Sequence, residues 1–282
     1  MSRLADAFKN KPIFMPYFPV GYPDLATSID VIETLAKNGA DLIEVGLSFS
    51  DPLADGPVIQ QATQTALERG VTTKDVLAAV AELRKRGVSI PLVLMGYYNP
   101  MLAYGLEKFV RDAAEAGADG FIVPDLPFEE ADEFAAALSG ATRPSTTDVA
   151  KNAPSSAQGV GSAVEAPLPQ ITMLAPTTPG ERMETIARNA QGFIYLVSVT
   201  GVTGARTGMA EGLEALVARV REHTSVPVCV GFGIGTPEQA KAVGALADGV
   251  IVGSACVREI GQSASPVETA RQFAGRFRDA LK

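Results

Sequence analysis

Ala36-Lys37-Asn38-Gly39-Ala40-Asp41 runs straight into Leu42-Ile43-Glu44-Val45. Small residues and a glycine close a helix, and a short apolar β run follows at once. The pattern recurs: Ala114-Glu115-Ala116-Gly117-Ala118-Asp119 leads into Gly120-Phe121-Ile122-Val123, Asn189-Ala190-Gln191-Gly192 into Phe193-Ile194-Tyr195-Leu196, and Ala245-Leu246-Ala247-Asp248 into Gly249-Val250-Ile251-Val252. A helix that feeds a strand through a tight turn is the αβ step of a parallel sheet. The class is therefore α/β.

The flanking segments carry helical periodicity. Ser28 to Lys37 puts Ile29, Ile32 and Leu35 on one face with Ala36 beside them. Thr73 to Arg86 does so with Val76, Leu77, Val80 and Leu83, and Glu211 to Glu222 with Leu213, Leu216, Val217 and Val220. Between helices lie apolar runs at Ile13–Phe18, Leu42–Val45, Pro91–Met95, Phe121–Val123, Gln170–Leu174, Phe193–Val197, Pro227–Val230 and Val250–Val252, eight candidate strands. Eight βα units predict a TIM barrel, typically about 250 residues long, here one domain over 1–282. A doubly wound open sheet is the alternative, because a strand can be miscounted from sequence.

Ser139 to Pro167 breaks the pattern. It is rich in Ser, Ala, Thr, Gly and Pro, and falls between the fourth helix, Glu129–Leu138, and the fifth strand near Ile171. An αβ turn is usually about 2–6 residues. This one reads as a disordered insertion on the face away from the βα loops, without a catalytic role.

The chain of 282 residues is 46% hydrophobic with a formal net charge of -8, and no stripe of Lys or Arg is present. That argues against nucleic acid and an anionic membrane surface as partners. Cys229 and Cys256 lie in or beside apolar runs and are expected to be small buried hydrophobes rather than a disulfide. No apolar stretch is long enough to span a bilayer, and Met1 to Lys11 lacks a signal-peptide core. A cytoplasmic protein is expected.

Chemistry concentrates in Glu44 to Pro57, Glu-Val-Gly-Leu-Ser-Phe-Ser-Asp-Pro-Leu-Ala-Asp-Gly-Pro. Glu44 is an acid inside an apolar strand, costly unless paired, protonated or used. Desolvation there raises a carboxyl pKa, which suits a group that gives and takes a proton near neutral pH. Asp55, in a wetter loop, is expected to stay ionised and accept a hydrogen bond from a substrate N–H. The competing reading makes Glu44 a structural acid and Asp55 a turn residue.

Two glycine-rich turns follow late strands. In Val230-Gly231-Phe232-Gly233-Ile234-Gly235-Thr236-Pro237-Glu238-Gln239, Thr236 caps a helix, Pro237 is at N1 and Gln239 completes a capping box. Val252-Gly253-Ser254-Ala255 follows the last strand. Loops after strands seven and eight are where TIM barrels bind phosphate. A dinucleotide fingerprint fails on spacing, since its third glycine position holds Thr236. The loop Ser198 to Gly208 is Gly/Thr-rich and fits either a lid or an ordinary connection. Asp125, in Val123-Pro124-Asp125-Leu126-Pro127, reads as a capping acid. His223, the sole histidine, sits at a helix end on the wrong face for catalysis. Neither a metal constellation nor a Ser-His or Cys-His nucleophile is legible. Carboxylate acid/base chemistry on a phosphorylated small molecule remains.

The core Phe49-Ser50-Asp51-Pro52-Leu53-Ala54-Asp55-Gly56-Pro57 closely resembles the signature of the tryptophan synthase alpha chain family. Further matches are Pro16-Tyr17-Phe18, Gly21-Tyr22-Pro23, Asn99-Pro100, Pro124-Asp125-Leu126-Pro127, Ala175-Pro176-Thr177-Thr178, Tyr195, Gly201-Val202-Thr203-Gly204, Gly231-Phe232-Gly233-Ile234 and Gly253-Ser254-Ala255. They cover nearly all of the chain outside 139–167.

The resemblance implies a TIM barrel that cleaves indole-3-glycerol phosphate to indole and glyceraldehyde 3-phosphate. By resemblance Glu44 is the general acid/base and Asp55 the acid that binds the indole N–H. Tyr195 lies near the glycerol moiety, and Gly204, Gly233, Gly253 and Ser254 surround the phosphate. Asp51 belongs to the loop that meets a beta chain, and Asp125 helps order mobile loops. The resemblance also implies an alpha2beta2 tetramer whose beta chain holds pyridoxal phosphate, with no cofactor in this chain. Two departures are Pro19, placed in the first βα loop where Thr is commoner, and Val199, where some members carry Arg. The alternatives are a stand-alone indole-producing lyase and a non-catalytic activating subunit.

Overall fold

The computed structural model describes residues 2–141, 168–197, 206–231 and 233–282, with the backbone alone for 206–211. Of the insertion expected over 139–167, residues 142–167 fall outside this set, as do the loop 198–205, with Val199 and Gly204, and Phe232.

The short helix α1 (Arg3–Ala7) precedes β1 (Ile13–Pro19), α2 (Leu25–Asn38) and β2 (Ile43–Gly46). Then come α3 (Pro57–Glu68), α4 (Thr73–Lys85), β3 (Leu92–Met95), α5 (Tyr98–Tyr104), α6 (Leu106–Ala116) and β4 (Gly120–Ile122). A 3-10 turn (Phe128–Glu130) leads to α7 (Asp132–Gly140) and β5 (Gln170–Leu174). The chain continues with α8 (Gly180–Asn189), β6 (Ile194–Val197), α9 (Arg206–Arg221), β7 (Val228–Gly231) and α10 (Pro237–Gly244). It ends with β8 (Gly249–Val252), α11 (Ser254–Gly261) and α12 (Pro266–Ala280). Each strand pairs in parallel with the next, and β8 returns to β1, so the barrel is closed and the open sheet is excluded.

The recurrent helix-to-strand pattern has a structural purpose in its aspartates. The Asp41 N–H donates to the Phe14 carbonyl at 3.0 Å, and the Phe14 N–H donates back to the Asp41 carboxylate at 2.8 Å. Asp119 and Leu92 exchange the same two bonds at 2.8 and 2.9 Å, as do Asp248 and Val228 at 2.8 and 2.9 Å. Each aspartate thus extends a parallel ladder by one rung at the mouth where strands begin. Asp119, 2% exposed, is further held by Arg3 at 2.9 Å and Arg84 at 2.5 Å. Gly117, at φ +97°, supplies the left-handed turn that ends α6 just before this clamp.

Apolar side chains fill the space between barrel and helices. Phe14 stacks on Phe277 of α12 at 5.3 Å between ring centroids, and Phe277 meets Phe273 at 4.5 Å. Burial of each such ring contributes about 1.5–3 kcal/mol. Cys229 and Cys256 are buried free thiols. Among the described residues no helix is long and apolar enough to cross a membrane.

Four boundaries differ from the sequence reading, one of them the start of α9 at Arg206 rather than Glu211, which takes Arg206 to Gly208 out of the expected loop. Helix α2 starts at Leu25 rather than Ser28, because Asp24 caps it by accepting the Thr27 N–H at 2.9 Å. Ser28 lies inside the helix, where its hydroxyl accepts the Gly21 N–H at 2.9 Å. The helix expected over Glu129–Leu138 is split into a 3-10 turn and α7, which runs on through Ser139 to Gly140. Pro19 is not in a loop: it is the last residue of β1 and registers with Gly46, a strand end where no ladder N–H is missed.

Among the described residues four helices exceed the eight a barrel needs, α1, α3, α5 and α11, and two of them shape the end where the strands finish. α3 follows β2 before the covering helix α4, and α11 follows β8 before α12. They pack on each other and on β1, over the end where the strands finish.

Candidate active site

A cavity of about 220 Å³ opens at that end. Strands β1, β2, β3, β6 and β8 each send one inward side chain to it: Tyr17, Glu44, Met95, Tyr195 and Ile251. The loop after β2 adds Asp55, α3 adds Ile59, and the turns after β7 and β8 add Gly233, Ile234, Gly235, Gly253 and Ser254. Ile59, Met95, Ile234 and Ile251 give the cavity an apolar wall suited to a flat aromatic group.

Glu44 is 1% exposed, and its Oε1 has no hydrogen-bond partner among the described residues. Burial pushes its carboxyl pKa up to about 8. Tyr17 stands directly across the ladder from Glu44. Burial, reinforced by the charges of Glu44 and Asp55, holds the Tyr17 and Tyr195 phenols well above their ordinary pKa. Both rings therefore keep their protons and present O–H donors beside the carboxyl.

Asp55 is half-buried, and less wet than the loop composition implies. Burial raises its pKa to about 6, and a hydrogen bond from Tyr97 works against that rise. Tyr97 is 4% exposed; its hydroxyl accepts the Ala54 N–H at 3.0 Å, and its ring meets Phe49 at 5.5 Å. The tyrosine thus pins both halves of the loop that presents Asp55. At pH 7 the two environments separate the acids: Glu44 is protonated and Asp55 is ionised, a division of labour fitted to acid/base catalysis.

The two glycine-rich turns differ in what they leave open. At the start of α10, Gln239 Oε1 accepts the N–H groups of Gly235 at 2.7 Å and Thr236 at 3.2 Å, and Thr236 Oγ1 accepts the Gln239 N–H at 3.3 Å. That terminus is closed by its own capping box, as the sequence predicts. Helix α11 has Gly253 as N-cap and no side chain capping it, so its first N–H groups face the cavity mouth without a side-chain acceptor. Gly233, at φ +79°, turns the backbone toward the same space. Uncapped N–H groups at the positive end of a helix are chemically able to hold an anion.

Among the residues anticipated from sequence, Glu44, Asp55, Tyr195, Gly233, Gly253 and Ser254 line one cavity. Asp51 and Asp125 do not. Asp51 is exposed, with the Ser50 hydroxyl donating to it at 2.6 Å. Asp125 accepts the Tyr98 N–H at 2.9 Å, capping the start of α5 rather than its own helix. Gly204 is outside the described residues. Tyr17, Tyr97 and Arg258 were given no role from sequence. Only Tyr17 carries a local signal, since it is polar in an apolar strand and would register with Glu44.

The model of the tryptophan synthase alpha chain family matches residues 4–143 and 146–281. The chain belongs to the tryptophan synthase alpha chain family. It is 45% identical over 262 residues to the tryptophan synthase alpha chain of Chloroflexus aurantiacus, covering 91% of this chain and 89% of that one. It is 43% identical over 281 residues to the tryptophan synthase alpha chain of Dehalococcoides mccartyi, with full coverage of both. The crystal structure of tryptophan synthase subunit alpha from Legionella pneumophila superposes with a TM-score of 0.82 at 33% identity, covering 100% of this chain and 98% of that one. Membership of the tryptophan synthase alpha chain family makes the chain a lyase of tryptophan biosynthesis.

Proposed function

We propose that the cavity cleaves indole-3-glycerol phosphate to indole and glyceraldehyde 3-phosphate, with Glu44 as the proton carrier. The observation that carries this is the Glu44 carboxyl itself, buried, with an unpartnered oxygen and a pKa raised to about 8. Glu44 first gives its proton to C3 of the indole ring. Asp55, ionised, accepts a hydrogen bond from the ring N–H and stabilises the cationic ring that results. Glu44, now a carboxylate, takes the proton of the glycerol hydroxyl on the attached carbon. The carbon–carbon bond breaks, its electrons restore the indole, and the hydroxyl carbon becomes the aldehyde. Glu44 ends protonated, ready for another turn, which requires a pKa near the working pH. Tyr17 and Tyr195 donate to the hydroxyls of the glycerol chain. Gly233, Gly253 and Ser254, with Gly204, hold the phosphate.

The reading extends to assembly. Leu53, 91% exposed, stands on the loop after β2, two residues from Asp51, and Leu102, 42% exposed, stands on α5. An almost fully exposed leucine beside an acid on a loop at this end suits a docking contact. A tryptophan synthase beta chain is the proposed occupant, in an alpha2beta2 tetramer, with pyridoxal phosphate in the beta chain and no cofactor in this one. Asp125 ties the loop after β4 to α5 and relays order between these loops. The whole chain acts as one barrel domain in the cytoplasm.

Indole release from indole-3-glycerol phosphate, measured for the chain alone and with a beta chain, tests the reading. Slow release alone and fast release in the complex are expected. Fast release alone favours a stand-alone lyase. No release in either, with both proteins folded and bound, leaves only an activating subunit.

A further inference from the structure

We propose that Arg258 is a binding residue for the substrate's phosphate and selects phosphorylated over unphosphorylated substrate; this rests on the reading of the cavity given above. Arg258 lies on α11, four residues after Ser254 and so on the same helical face, and it lines the cavity with Gly233, Gly253 and Ser254. It is the one cation among the described lining residues, where the carboxyl groups are Glu44, protonated at pH 7, and Asp55, ionised. A phosphate dianion entering a cavity that holds the ionised Asp55, on a chain of formal net charge -8, meets a repulsive field that backbone N–H groups offset only in part.

Among the described residues the guanidinium is also uncommitted. Arg84 is bound to Asp119, Arg86 to Glu82, Asp30 and Glu33, Arg182 to Glu129 and Arg271 to Glu268. The adjacent acid, Glu259, is taken by Arg276 of α12. Arg258 itself has no side-chain hydrogen bond or ion pair among the described residues. An arginine one turn beyond an uncapped helix start can grip phosphate oxygens bidentately while the N–H groups hold the others.

The test uses the full chain with Arg258→Gln and Arg258→Lys, and glycerol 3-phosphate as the probe, its binding read by calorimetry. Arg258→Gln should weaken binding about five- to tenfold, the range for an exposed charge-assisted contact. KM for indole-3-glycerol phosphate should rise by the same factor, with kcat within about twofold. Turnover of unphosphorylated indoleglycerol should not change, and Arg258→Lys should recover part of the loss. Equal binding of glycerol 3-phosphate by wild type and Arg258→Gln overturns the role of Arg258 and leaves the phosphate site intact. No binding of the probe by wild type overturns the phosphate site and this inference with it.

Discussion

The phenol of Tyr17 lies across the Cα of Gly46: a Cβ built on Gly46 would fall 2.4 Å from the Tyr17 oxygen. Tyr195 and Gly231 repeat the relationship at 2.4 Å. In both cases an inward tyrosine crosses the glycine that ends the next strand, and the two rings flank Glu44 from β1 and β6. The glycines are therefore spacers that let each hydroxyl reach the cavity. Gly46→Ala or Gly231→Ala should push the ring off its place and cost about 1–3 kcal/mol of stability through overpacking. Urea denaturation measures that cost, and indole release should fall more steeply than stability does.

Acid and base limbs should both appear in the rate. Asp55 must be ionised and Glu44 protonated, so kcat/KM should rise through about pH 6 and fall through about pH 8. Tyr97 lowers the Asp55 pKa, so Tyr97→Phe should move the acid limb to higher pH, by up to about one unit. A limb that stays in place, or moves down, contradicts the link between these residues.

The same burial has a stability signature. The folded pKa of Glu44 is raised above the unfolded value of 4.5 to about 8. Below the unfolded value both states hold the proton and there is no penalty. As pH rises from there, the unfolded chain releases the proton while the folded chain keeps it, so stability is lost progressively until the folded pKa is passed. Glu44→Gln removes this term. Its melting temperature should gain on wild type between about pH 5 and pH 8 and run parallel above that. A gap that does not depend on pH would show that Glu44 is not buried as an acid.

At the opposite end of the barrel, Asp119 joins Arg3, Arg84 and the Leu92 N–H in a buried cluster. Asp119→Ala leaves two guanidinium groups without their shared carboxylate and should cost about 3–5 kcal/mol. It lies far from the cavity, so kcat of the surviving folded protein should match wild type. A selective loss of kcat at unchanged stability would argue that the two ends of the barrel are coupled.

Legibility from sequence follows the range of the interactions. Strands were readable because each is a short apolar run closed by a local turn, as Gly117-Ala118-Asp119 before Gly120 shows. Helix starts were harder: Ser28 and Asp24 are both good caps, and Asp24 takes the role by accepting the Thr27 N–H while the Ser28 hydroxyl accepts from Gly21. Glu44 stood out because an acid in an apolar strand breaks a rule. Tyr97 and Arg258 break none, since a tyrosine at a helix start and an arginine on a helix are ordinary. Their roles come from loops and strands remote in sequence, which the barrel brings within reach. The proposed anion site was half legible: the capping box of α10 was written in Thr236 and Gln239, but the uncapped start of α11 is visible only in three dimensions.

The central claim is that the Glu44 carboxyl delivers and recovers the proton. It is tested most directly by the indole-release rate of Glu44→Gln at pH 7, in complex with a beta chain and saturated with indole-3-glycerol phosphate. The variant should fold, bind the beta chain and retain substrate affinity while kcat falls by at least about 100-fold, the lower range for loss of a general acid/base. A kcat within a few-fold of wild type would contradict the account and return Glu44 to the status of a buried structural acid.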